Sequence, residues 1–214
     1  MAKSPIRVLC VDDHRIVREG ITLIIDRQPD MEVVASAATG EQAVALFNRH
    51  RPDVTLMDLQ LRRMSGLEAI ANIRQRHPNA RIVVLTTYDG DEDIYRALDA
   101  GAATYLLKDT LSDELIQVVR QVHAGKRPIS RDVQARLDER ASSPPLTPRE
   151  IEVLELVTKG MRNKEIAAAM NITEDTVAVH LRNTFAKLKV NERTTAVTVA
   201  LRRGIIHLAR GDEG

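Results

Sequence analysis

At 214 residues, with 43% hydrophobic and 29% charged positions, the chain has room for one large or two ordinary domains and the composition of a soluble globular protein. No apolar run approaches the roughly 20 residues that a membrane-spanning helix needs, and the start Met1-Ala2-Lys3-Ser4-Pro5 lacks the apolar core of an export signal, so a cytoplasmic protein is expected. The single cysteine, Cys10, excludes an internal disulfide, and a net charge of +1 conceals an asymmetry: residues 1–125 carry 15 basic against 18 acidic side chains, residues 126–214 carry 16 against 12. The basic second half suits a polyanion. Three tyrosines and two phenylalanines are too few for the stacking platforms that bind single strands, which favours duplex DNA.

In chain order, the first half alternates short apolar runs with stretches of helical spacing. Strands are predicted over 6–11, 32–37, 54–57, 81–85 and 104–107. Helices follow them, the first carrying Ile16, Val17, Ile21, Leu23 and Ile24 and the others covering 41–49, 65–76, 92–100 and 113–124. Five strand-helix units in about 120 residues predict an α/β doubly wound, parallel five-stranded sheet covered on both faces. The first strand runs into Asp12-Asp13-His14 where a dinucleotide-binding fold would need a glycine fingerprint. Residues 126–145, rich in charge, proline and serine, read as a linker with a short helix at 131–140. From Leu146 onward only helices are signalled. Thr147 and Glu150 form a capping box for the first, residues 163–170 a second, Thr173 caps a third running to about Val190, and 193–203 form a fourth.

Acids or a base follow three strands: Asp12 and Asp13 the first, Asp58 the third, Lys108 the fifth. Singly, such acids are turn formers or helix caps and such a lysine covers surface. In strand order 2-1-3-4-5 the first and third strands are neighbours at the switch point, and the three carboxylates share one pocket. Their mutual repulsion calls for a cation, and a hard divalent ion such as Mg2+ fits. Lys108 and the Thr86 hydroxyl then supply a charge and a donor for a bound phosphoryl group, with Asp58 as nucleophile. Cys10, inside the first strand, reads as a buried inert thiol.

Val11-Asp12-Asp13-His14, Leu56-Met57-Asp58, Leu85-Thr86-Thr87 and Tyr105-Leu106-Leu107-Lys108 resemble the receiver domain of two-component response regulators over residues 5–125. The resemblance implies a flavodoxin-like fold and a partner histidine kinase that phosphorylates Asp58. It also implies Mg2+ held by Asp13, Asp58, the main-chain carbonyl of Gln60 and, through water, Asp12, with Thr86 and Tyr105 as a switch pair. Asp109 stands where many receivers have a proline after the lysine. On its residues alone, Tyr105 equally fits a half-buried strand tyrosine with a wet hydroxyl.

In the second half, Val177, Leu181, Thr184, Phe185 and Leu188 share one helix face and Val179, Arg182, Asn183, Ala186 and Lys189 the other, as a helix entering the major groove requires. Leu146-Thr147-Pro148-Arg149-Glu150, Asn163-Lys164-Glu165-Ile166-Ala167, Thr176-Val177 through His180, and Lys187-Leu188 resemble the LuxR-type helix-turn-helix domain, an all-α four-helix unit. A receiver joined to it is similar to the NarL/FixJ class of regulators. The expected domains are therefore a receiver at 1–125, a linker at 126–145 and a DNA-binding domain at 146–214. Arg162, Asn163, Lys164, Thr176, Val179, Arg182, Asn183 and Lys189 are the expected DNA contacts, and the resemblance implies dimerisation through the last helix at Ala196, Val197 and Ala200, positions that fit plain core equally well. Ala178 stands where a lysine usually reaches DNA, and Arg162 where serine or proline is usual. The expected function is a phosphorylation-gated DNA-binding transcriptional regulator, not an enzyme, dimeric when active and partnered by a histidine kinase and double-stranded DNA. The rivals are a Mg2+-dependent phosphohydrolase and a regulator working through protein contacts without DNA.

Overall fold

The computed structural model describes residues 4–110 and 112–208. The strands are β1 (Ile6–Val11), β2 (Met31–Ala37), β3 (Val54–Met57), β4 (Ile82–Thr86) and β5 (Thr104–Leu107), and the helices between and after them are α1 (Arg15–Asp26), α2 (Gly40–His50), α3 (Gly66–Arg76), α4 (Asp91–Asp99) and α5 (Ser112–His123). All pairings are parallel and the strand order is β2-β1-β3-β4-β5, as expected from the alternation. Every residue of β3 and β4 is buried. That is why these strands read as continuous apolar runs: a parallel sheet has helices on both faces and no wet side to alternate toward.

One face packs Val8, Cys10, Leu56, Val83, Leu85 and Leu106 against Ile21 and Ile25 of α1 and Leu115, Ile116 and Val119 of α5. Ala43 and Phe47 of α2 and Ala69, Ile70 and Ile73 of α3 are buried as well, each large side chain contributing about 1.5–3 kcal/mol. Helix starts follow local chemistry: Thr39 caps α2, and Ser65 with Glu68 closes a reciprocal capping box on α3.

The register decides where functional groups lie. Val11 pairs with Met57, and Thr86 with Leu107, so β1 and β3 end level with each other, as do β4 and β5. Asp12 and Asp58 therefore leave the sheet side by side, tied by Asp58 N–H donating to the Val11 carbonyl at 2.9 Å, while Lys108 N–H donates to the Thr86 carbonyl at 2.8 Å.

The chain separates into two compact units, residues 1–88 with 95–133, and residues 89–94 with 134–214. The expected linker is largely helical: α6 (Arg131–Ala141) fills its middle, with Val133 buried. Then come α7 (Pro148–Thr158), α8 (Asn163–Met170), α9 (Glu174–Leu188) and α10 (Arg193–Arg202). Thr147 and Glu150 form the capping box with Pro148 in the first turn of α7, Asn171 takes a left-handed conformation (φ 54°) to end α8, and Thr173 caps α9 through the Thr176 N–H. Lys189, also left-handed, ends α9.

The core of this unit corrects one expectation. Ala196 and Ala200 are fully buried against Leu154, Ile166, Val177 and Leu181, with Ile205 and Ile206 folding back over them, and Val197 is partly buried against the same cluster. The two alanines let α10 approach closely and are not available to a second copy. No helix among the described residues is long and apolar enough to cross a membrane.

Candidate functional site

The sheet's C-terminal edge gathers Asp12, Asp13, Asp58, Thr86 and Lys108, as the sequence predicts. Asp12 and Asp58 are 1% and 3% exposed, and the Lys108 ammonium bridges them, its Nζ lying 2.6 Å from Asp12 Oδ2 and 2.7 Å from Asp58 Oδ2. Gln60 N–H donates to Asp58 Oδ1 at 3.3 Å, which brings the Gln60 backbone to the pocket. Three carboxylates against one ammonium leave a formal charge of −2, the deficit that one divalent cation neutralises. One ligand atom each from Asp12, Asp13, His14 and Asp58 lie within 4.8 Å of one another, and this oxygen-rich set fits a hard ion.

Electrostatics set the protonation states. Burial pushes the Asp58 carboxyl above its ordinary value; the hydrogen bond and charge of Lys108 pull it down, and the Asp12 carboxylate raises it again. Burial works against the Lys108 ammonium too, but its bonds to Asp12 and Asp58 outweigh that and hold its pKa above the usual lysine value. The acid thus bears the cost of burial while the lysine stays charged. The Thr86 hydroxyl, completely buried and lacking a hydrogen-bond partner at ordinary distance, lies near enough to Asp58 to favour its ionised form. Beneath the pocket, burial lifts the Cys10 thiol to about 12, so it stays inert.

Tyr105 departs from the half-buried reading. It is 0% exposed, and its hydroxyl donates to the Tyr88 carbonyl at 2.8 Å. Two further contributors carry no obvious mark in the sequence. His14 turns its Nδ1 to 2.7 Å from Asp13 Oδ1. Gly66 is where α3 presses on the loop that follows Asp58: its N–H donates to the Leu59 carbonyl at 2.9 Å, and a Cβ there would stand 2.0 Å from the Asp58 carbonyl oxygen. A glycine directly after the capping Ser65 was the available signal.

In the second unit α9 divides as its spacing predicts. Val177, Leu181, Thr184 and Leu188 are buried, while Ala178, Val179, Arg182, Asn183, Ala186 and Lys189 are exposed, and Arg162 and Lys164 are exposed at the start of α8. Four cations, Arg162, Lys164, Arg182 and Lys189, thus stand on the exposed surface of this helix pair. Thr176 is half-buried and its hydroxyl is bonded to that of Thr173 at 2.8 Å. Asn163 is half-buried, and its Oδ1 accepts from Arg193 Nη1 at 3.0 Å, so part of its bonding capacity is already used inside the unit.

What fixes α9 is an ion pair that the sequence leaves unmarked. Glu150, 3% exposed, accepts from Lys187 Nζ at 2.8 Å and from Thr147 N–H at 2.7 Å. Burial would raise its pKa, but Lys187 and the Thr147 cap hold it below the usual glutamate value. One carboxylate therefore caps α7 and anchors the C-terminal end of α9.

Residues 8–120 match the response regulator receiver domain, and residues 144–200 match the luxR family of bacterial regulatory proteins. The chain is similar to the transcriptional regulatory protein YxjL of Bacillus subtilis, 40% identical across 96% of this chain and all of the relative. It is also similar to the response regulator VraR of Staphylococcus aureus, 39% identical across 94% of this chain and 99% of the relative. Among solved structures, the response regulator ChrA of a heme-sensing two-component system is 35% identical over 95% of this chain and all of its own, with a TM-score of 0.58.

Proposed function

Since the chain belongs to the two-component response regulators that join a receiver to a LuxR-type DNA-binding domain, it is a phosphorylation-gated, DNA-binding transcriptional regulator, and we propose that Asp58 carries the phosphoryl group. The observation that supports the assignment is the Lys108 ammonium bridging Asp12 and Asp58 inside a pocket of net charge −2.

In the proposed step an Asp58 carboxylate oxygen attacks the phosphorus of a phosphohistidine on a partner kinase. A P–O bond forms, the P–N bond breaks, and the departing imidazole takes a proton from water. Lys108, which stays charged, exchanges its bond to Asp58 for one to a phosphoryl oxygen, and the partnerless Thr86 hydroxyl gains an acceptor. Asp13, Asp58 and the Gln60 carbonyl, with Asp12 through water, would hold Mg2+, which would supply charge neutralisation for the transferring group. Tyr105 follows Thr86 as the second member of the switch. In this reading the pocket serves one transfer onto the protein itself, without turnover of a free substrate.

For the output, Val179, Arg182 and Asn183 of α9 enter the major groove of duplex DNA, with Arg162, Lys164 and Lys189 on phosphates and Thr176 and Asn163 at the helix starts. The active form is a homodimer in the cytoplasm, pairing through the exposed edge of α10 at Thr194 and Thr198 rather than through the buried alanines.

The test is labelling with acetyl phosphate followed by a gel shift on upstream DNA. The wild-type chain gains one phosphoryl mass and shifts DNA more strongly, and Asp58→Asn does neither. Label retained by Asp58→Asn on another residue refutes the acceptor. Steady turnover of a generic phosphoester favours the hydrolase reading, and no shift at any phosphorylation state favours protein contacts.

A further inference from the structure

The acidic pocket contains a nitrogen donor that phosphoryl transfer does not use. His14 is the N-cap of α1, yet its side chain makes no capping bond to the helix, where serine, threonine, aspartate or asparagine would. Its backbone explains where the ring goes instead. The His14 N–H donates to Asp12 Oδ1 at 2.8 Å, folding the residue back over the carboxylate in front of it. The imidazole Nδ1 then lies 2.7 Å from Asp13 Oδ1 and 3.3 Å from Asp12 Oδ1.

These positions match a coordination sphere. Donors on one ion at about 2.0–2.2 Å are separated from one another by up to about 4.4 Å. The four donor atoms, one from each of Asp12, Asp13, His14 and Asp58, span at most 4.8 Å, so a few tenths of an ångström of closure suffice. The rest of the His14 ring is compatible with this role. Its side chain is 55% exposed, so binding through Nδ1 leaves much of the ring in water.

We propose that His14 is a direct metal ligand, giving the phosphoacceptor pocket a mixed nitrogen-oxygen donor set that favours a first-row transition ion such as Mn2+ over Mg2+. The inference rests on reading the pocket as a cation site. Mg2+ takes oxygen donors and holds its waters, whereas imidazole binds first-row transition ions preferentially, so His14 adds to the affinity of one class and little to that of the other. His14 thereby sets which ion accompanies Asp58 when both are present.

The experiment titrates the full chain with Mn2+, counting free ion by its electron paramagnetic resonance signal and probing bound ion by pulsed methods for coupling to a directly bound imidazole nitrogen. The wild type is expected to show that coupling. His14→Asn, which restores a favourable N-cap and is checked for folding by circular dichroism, should lose the coupling and bind Mn2+ roughly tenfold more weakly, with Mg2+ affinity from competition changing far less. Bound Mn2+ with oxygen ligands alone in the wild type, or coupling that survives in His14→Asn, overturns the assignment and leaves the acidic cation site standing. Failure of the wild type to bind Mn2+ or Mg2+ at all overturns the cation-site reading as well.

Discussion

Replacing Lys108 by methionine keeps the aliphatic stem and removes the charge that holds Asp12 and Asp58 together. Each ion pair, at 2.6 and 2.7 Å, corresponds to about 6 kcal/mol of attraction at an effective dielectric constant of about 20. Most of that offsets the desolvation of three buried charges. What the variant loses is the compensation, and breaking a buried pair from one side costs about 3–5 kcal/mol. The pH dependence follows from the direction of the Asp58 shift. Because its folded pKa lies above the ordinary value of 3.8, the native state binds more protons than the unfolded chain between the two values, and stability falls as pH rises through that window. Without Lys108 the window extends upward, so the gap between wild type and Lys108→Met should widen from about pH 4 to neutrality. Hydrogen exchange of peptides covering β1 and β3, in chelator, reads the first unit separately from the second. At neutral pH a loss of 3–5 kcal/mol appears as protection reduced by about 100- to 1000-fold or more. Saturating Mg2+ should narrow the gap, since the variant pocket carries −3 and binds the cation more tightly. A gap below about 0.5 kcal/mol that stays flat with pH would refute the argument that Lys108 compensates buried, ionised carboxylates.

Arg182→Ala should weaken operator binding by about 1–3 kcal/mol, measured by fluorescence anisotropy across a salt series, and an unchanged Kd at moderate salt would remove α9 from the groove. Glu150→Gln loses the Lys187 ion pair and should destabilise the second unit by about 2 kcal/mol at neutral pH. Since the folded pKa of Glu150 lies below the ordinary value of 4.5, its contribution is complete above that value and disappears as pH falls through the folded one, so acid unfolding of the second unit should be shallower in the variant. Gly66→Ala sets a Cβ against the Asp58 carbonyl and the Leu59 Cα, at 2.0 and 2.7 Å, and the acceptor loop must move. Labelling by acetyl phosphate should fall by about tenfold to a hundredfold with the second unit unaffected, and normal labelling would show that the loop tolerates the shift.

The bounds of β1, β3, β5 and α8 are readable in the residues because each is marked at both ends by chemistry local to it: an apolar run closed by Asp12, Asp58 or Lys108, and a segment bounded by Arg162 and the left-handed Asn171. Strand order adds the rest of the pocket, since residues that end neighbouring parallel strands must meet. The failures are of another kind. Ala196 and Ala200 look the same whether a helix closes on its own core or on a second copy, and what decides between them is the return of Ile205 and Ile206, which no helical periodicity encodes. Asn163 gives no sign in the sequence that Arg193, 30 positions away, binds its side-chain carbonyl oxygen. Tyr105 is ambiguous until Tyr88 supplies an acceptor. His14 lies beside the acids in sequence, but its ring direction depends on one bond to Asp12. In each case the missing information is a partner chosen by tertiary packing.

The buried hydroxyl of Tyr105 also gives the protein an intrinsic optical probe. The chain has no tryptophan and three tyrosines, so its near-ultraviolet absorption and emission come mainly from Tyr88, Tyr95 and Tyr105, and two of these are joined through one hydrogen bond. A phenol that donates to a carbonyl in a dry cavity absorbs at longer wavelength than one in water, and any rearrangement that breaks the bond shifts the band. Difference spectroscopy on the unlabelled chain can therefore test whether Tyr105 moves on phosphorylation, with Tyr105→Phe as the blank.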